Sequence, residues 1–178
     1  MKIQANTRDC ERSVVATQPY DADVTARRPH AKNLRKGRIS QVGLHYFLTT
    51  SVAGQRRIFT KREYATSVLD AVRWLHDASR FFVDAAVVMP DHLHLAGRLD
   101  EGTLSKVMHT LKSYSAHRLA GAGIATPVWQ RGFHDHALRG DEDYRIRVRY
   151  LVENPVRAGL VERVEDYPHL ILPGWWRD

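Results

Sequence analysis

Between Gln41 and Thr50 the residues Val42, Leu44, Tyr46 and Leu48 alternate with Gly43, His45, Phe47 and Thr49, which predicts a strand with one face richer in aliphatics. The period then changes. Thr60 to Glu63 matches a capping box, and Tyr64, Val68, Leu69, Val72 and Leu75 follow at helical spacing, predicting a helix that runs to Ser79. Phe81 to Met89 is apolar except for Asp84, as a central strand buried on both faces requires. Pro90 and Asp91 signal a turn, so His92 to Leu99 is expected to return as an antiparallel neighbour.

A second helix is expected from Thr103, as N-cap, to Gly121, with Leu104, Val107, Met108, Leu111, Ser115 and Leu119 in one stripe. Pro127 to Leu138 reads as another strand. Asp141, Glu142 and Asp143 stand where a helix amino end favours negative charge, and that helix runs until Asn154 and Pro155 stop it. A short helical piece around Pro155 to Leu160 and an irregular tail ending in Trp175 and Trp176 complete the pattern. The order β, α, β-turn-β, α, β predicts an α+β fold: a ferredoxin-like split βαβ plan with an antiparallel sheet, followed by C-terminal helices.

Length allows one folded unit, expected over residues 39–178, preceded by a basic flexible arm over residues 1–38. Charge supports that division. Of the net +7, the first forty residues carry +5, and from Arg27 to Arg38 there are six basic residues and no acid. Such an arm suits a polyanion, with Arg35, Lys36 and Arg38 as candidate DNA contacts, although composition alone fits a solvated tail equally well. One cysteine, Cys10, excludes an internal disulfide and a cysteine-based zinc cage, in keeping with a reducing cytoplasm. Met1 to Asp9 is polar, and no apolar run reaches the length of a membrane helix, so a soluble, cytoplasmic protein is expected.

Candidate chemistry concentrates in Met89 to Leu95, where His92 and His94 stand two apart on a predicted strand and so share a face on which they could grip one cation. The plain alternative is a hydrogen-bonded structural pair. On a helical wheel Tyr114 lies about 80° from Leu104, at the margin of the apolar stripe, and His117 about 60° further round. That phenol could emerge into a cleft with His117 within reach of the same metal, or it could be a half-buried packing tyrosine. A second pair, His134 and His136, competes for the metal, with sheet-edge hydrogen bonding as its ordinary explanation. Trp175 and Trp176 could stack unpaired bases or dock on the core.

Four blocks in order carry a resemblance: MPDHLHL (Met89 to Leu95), LKSYSAHRL (Leu111 to Leu119), WQRGFHDHAL (Trp129 to Leu138), and NPVRAGLV (Asn154 to Val161) with Tyr167 and Pro168 after it. Together they resemble the REP-associated tyrosine transposases, single-tyrosine relatives of the HUH transposases of small insertion sequences, over roughly Leu34 to Pro168. The resemblance implies an HUH nuclease domain that acts on single-stranded or hairpin DNA with Mg²⁺ or Mn²⁺ through a 5′-phosphotyrosine intermediate. It assigns His92 and His94 to the metal and Tyr114 to the nucleophile. His117 is then the candidate third ligand, since Arg118 cannot serve as one. Lys112, Arg118, His134 and His136 become candidate DNA contacts. A monomer is expected from the REP-associated branch, and a dimer from related transposases that share helices. A non-catalytic nucleic-acid-binding protein and a metal-dependent hydrolase built on His134 and His136 are the competing readings.

Overall fold

The computed structural model describes residues 40–138 and 141–177; the proposed arm, Arg35, Lys36, Arg38 and Cys10 lie outside the described residues. Five strands, β1 (His45–Ser51), β2 (Phe81–Val88), β3 (His92–Leu99), β4 (His134–Leu138) and β5 (Leu170–Ile171), form one sheet in the order β4-β1-β3-β2-β5. Every neighbouring pair is antiparallel. Two crossover helices, α1 (Arg62–Asp77) and α2 (Leu104–Gly121), join β1 to β2 and β3 to β4. Each crossover skips one strand, which is the split βαβ plan expected from the element order. After β4 come α3 (Asp141–Val152) and the single turn α4 (Asn154–Arg157).

Strand periodicity divides the core into two layers. On one face Tyr46 and Leu48 of β1 and Leu93, Leu95 and Leu99 of β3 meet the stripes of α1 and α2. On the other face Phe47 of β1 and Ala96 of β3 pack with Val148, Leu151 and Val152 of α3 and with Tyr167 of the tail. Asp84, the single polar residue in the second apolar run, sits at a β-bulge between Val83 and Ala85. The bulge shifts the alternation: Phe81 and Val83 face α1 and α2 before it, and Ala86 and Val88 do so after it. Ala85 and Val87 thereby face α3, so β2 is buried on both sides. The Asp84 carboxylate accepts the Tyr144 hydroxyl and so fixes the start of α3 to the sheet.

α2 has the expected bounds, its Thr103 hydroxyl capping Lys106 N–H at 3.2 Å, and its six buried residues are those of the predicted stripe. α1 corrects its expected start. Thr60 lies in a 3₁₀ turn (Ile58–Thr60) and donates to the Arg57 carbonyl, so Lys61 becomes the N-cap, with no side-chain cap. The helix ends at Asp77 because Ser79 adopts φ +51°, outside helical space. The strand expected from Pro127 to Leu138 is shorter. A turn through Gly132, at φ +77°, separates β4 from Trp129, which makes only an isolated bridge to Val52. β5 is two residues long and gives no periodic signal.

Candidate functional site

β3 brings His92 and His94 to the sheet face that α3 covers, because Leu93 and Leu95 between and after them take the opposite face. His94 Nδ1 lies 2.9 Å from Thr49 Oγ1 on β1, the residue directly opposite it. His92 Nδ1 lies 2.6 Å from the Asp91 carboxylate. Both inner nitrogens are therefore engaged by an orienting partner, and the two outer nitrogens converge: His92 Nε2 and His94 Nε2 are 3.0 Å apart. Burial, the neighbouring His92 and the Arg157 guanidinium hold the His94 pKa down to about 3. His94 is thus a neutral imidazole at neutral pH, which is the state that binds a cation.

Asp91 beside His92 matches the carboxylate–histidine arrangement that fixes tautomer and ring orientation behind a metal. Among the described residues no third His, Cys, Asp or Glu joins the pair in a metal-sized cluster. Among the described residues a further donor would be a carboxamide or a hydroxyl, with substrate or water as the alternative.

Tyr114 and His117 do not come to this face. They lie on α2, whose buried stripe packs on the opposite side of the sheet, and both are exposed there. The five-stranded sheet stands between the Tyr114 phenol and the histidine pair. Arg118 donates to the Tyr114 hydroxyl at 3.4 Å and stacks over its ring, an i,i+4 pair on the helix surface. Lys112 donates to the carbonyls of Gln130, at 2.9 Å, and Gly132, which ties α2 to the turn before β4. On this layer assignment Tyr114 and His117, expected as nucleophile and third ligand, do not meet the histidine pair, and Lys112 and Arg118, expected as DNA contacts, lie with them on α2. Helical spacing alone does not say which face of the sheet a helix will cover.

On the α3 side of the sheet Tyr144 and Tyr167 commit their hydroxyls to Asp84 and the Val88 carbonyl, whereas Tyr150, near the end of α3, is 44 % exposed. Arg157 lies 3.5 Å from its ring centre and donates to Asn154 Oδ1 at 2.8 Å, while the Asn154 amide holds the Leu151 carbonyl at 2.8 Å. The same guanidinium acts on His94, so Tyr150, Asn154, Arg157 and the histidine pair occupy one neighbourhood. A signal for it exists in the sequence. Tyr150 precedes Asn154 by one helical turn, and Asn154 opens the NPVRAGLV block.

His134 and His136 share the face of the first pair. His134 and His94 both oppose Thr49 of β1, one from each side, and His134 and His136 are exposed. They flank the site, and they lie across β1 from His92 and His94.

A family model described as "Transposase IS200 like" matches residues 40–153. A REP-associated tyrosine transposase of Escherichia coli (strain K12) is 30% identical over 125 residues, covering 69% of this chain and 73% of the relative. A solved structure, described as a REP-associated tyrosine transposase bound to a REP hairpin, superposes with a TM-score of 0.65 at 29% identity, covering 75% of this chain and 79% of that one.

Proposed function

The chain belongs to the IS200-like transposase family, and from that premise we propose a single-stranded-DNA transposase or endonuclease that cuts and rejoins DNA beside REP-like hairpins. The observation that carries the reading is the convergence of His92 Nε2 and His94 Nε2 at 3.0 Å with both Nδ1 atoms already committed. The neutral His94 ring and the His92 ring, each fixed through Nδ1, fit a divalent cation. His92 and His94 would hold it, with Asn154 as the proposed further donor once its side-chain oxygen gives up the Arg157 hydrogen bond. A bound Mg²⁺ or Mn²⁺ supplies positive charge to the phosphate oxygens and the departing oxygen.

The nucleophile we assign is Tyr150 in place of Tyr114. Its phenolic oxygen attacks phosphorus, its proton passes to solvent or base, the bond from phosphorus to the 3′ oxygen breaks, and that oxygen takes up a proton. The 5′ phosphate stays on Tyr150 as a phosphodiester, so the later attack of a 3′ hydroxyl rejoins a strand without ATP. Arg157, stacked on the ring, orients the phenol and presents its remaining N–H groups to the phosphate. His134 and His136, exposed on the same face, are placed to meet the strand as it leaves the site.

The test is a labelled hairpin oligonucleotide incubated with the protein and Mg²⁺, then run on a denaturing gel. A covalent adduct is expected from the wild type and from Tyr114→Phe, and none from Tyr150→Phe. An adduct that persists in Tyr150→Phe would falsify the assignment. The His92–His94 approach is also compatible with a structural hydrogen bond in a non-catalytic DNA-binding protein. Binding unchanged by EDTA, with no strand scission, would select that second reading.

A further inference from the structure

Three guanidinium–aromatic pairs lie along α3 and its continuation. Arg145 stands 5.4 Å from the Trp175 ring centre, Arg149 stands 5.4 Å from that of Trp176, and Arg157 covers Tyr150. Between them runs an open groove of about 540 Å³ lined by Arg145, Ile146, Arg149, Tyr150, Glu153 and Trp175. Ile146, 67 % exposed, gives it an apolar floor. Its one described acid, Glu153, is 3.8 Å from Arg157 and so locally balanced. Arg145 and Arg149 are exposed, and among the described residues neither forms an ion pair.

A guanidinium held over an indole is restrained there while its N–H donors stay available to a further partner. The groove therefore offers preset positive charge beside flat apolar surface. That combination suits a ligand with anionic links and flat rings. Unpaired nucleic acid has both, whereas a duplex hides its rings in the stack.

We propose that the groove along α3 holds the unpaired strand adjoining the scissile phosphate, with Arg145 and Arg149 on its phosphates and a base stacked at Trp175. The inference rests on Tyr150 as the reacting phenol, since Tyr150 lines the groove and a strand on it continues directly into it. It also gives the tail tryptophans a double role, packing against α3 and presenting a surface to bases.

The full chain is titrated, in EDTA so that no cleavage occurs, with a hairpin oligonucleotide that carries a single-stranded extension and with the same hairpin lacking it. Arg145→Ala/Arg149→Ala should bind the extended probe on the order of tenfold more weakly, with the slope of log affinity against log salt shallower by about 1.4, two single-strand phosphate contacts. The blunt hairpin should bind as before. Arg145→Lys/Arg149→Lys should keep the slope, and Trp175→Ala should weaken the extended probe by about tenfold with the slope unchanged. Unchanged thermal midpoints confirm that each variant is folded; a variant that is not is replaced by its glutamine counterpart. Equal losses on both probes would assign the arginines to the stem, and no loss on either would make the groove a packing feature. Either result overturns the proposal. Because binding is read without Mg²⁺, this outcome is separate from the adduct assay on Tyr150→Phe.

Discussion

At the scale of single residues, the site depends on how the inner nitrogens are held. Asp91 and Thr49 engage the Nδ1 atoms of His92 and His94. Removing an orienting partner of a ligating histidine lowers metal affinity by roughly 10- to 100-fold. Thr49→Val keeps the shape of the side chain and deletes its hydroxyl, so Mn²⁺ affinity, read by calorimetry, should fall within that range while the fold survives. His169 gives a pH prediction away from the metal site. Burial, then the Arg62 charge, lower its pKa in the folded protein. The folded state therefore disfavours a proton that the unfolded chain accepts near pH ~6.5. Stability is complete above that pH and is lost as pH falls below it. His169→Gln should flatten this loss when urea midpoints at pH 7.5 and 5.5 are compared.

At the scale of elements, the bulge at Asp84 and the strand opposite it are matched. Gly97 pairs with Val83 just before the bulge, and a Cβ there would lie 2.1 Å from the Phe82 carbonyl oxygen and 2.6 Å from the Phe81 ring. Backbone cannot move aside as a side chain can, so Gly97→Ala should destabilise the protein by about 1–3 kcal/mol, the usual range for overpacking, in a denaturant titration. Which parts were legible from sequence follows from the same local logic. The α2 stripe, β3 and the turn at Pro90 were legible because the period and the turn residues specify them locally. β5 was not, because two residues carry no period. Tyr150 was missed for a different reason: its helix and α2 are both amphipathic, and the side of the sheet each covers is decided by crossover topology rather than by either helix.

At the scale of the whole molecule, charge and fold are unevenly shared. The first forty residues carry +5 of the net +7, while the sheet and helices that hold the site lie in the nearly neutral remainder. Deleting residues 1–38 should weaken DNA binding and reduce its salt dependence without removing the covalent adduct. Filter binding across a salt series, run beside the adduct gel, checks both parts; loss of the adduct at saturating DNA would show that the arm belongs to the chemistry. Among the described residues no helix is long and apolar enough to cross a membrane.

The proposed reactive groups come from distant stretches of chain: β3 supplies the imidazoles, and the phenol arrives only after α2, β4 and most of α3 have followed. A ribosome therefore releases one half of the proposed centre before the other half exists. The α2 crossover and β4 lie between the two halves, and contacts so far apart in sequence form late. On that assignment a nascent or partly folded copy lacks a complete centre, and the covalent adduct should form only with the finished sheet.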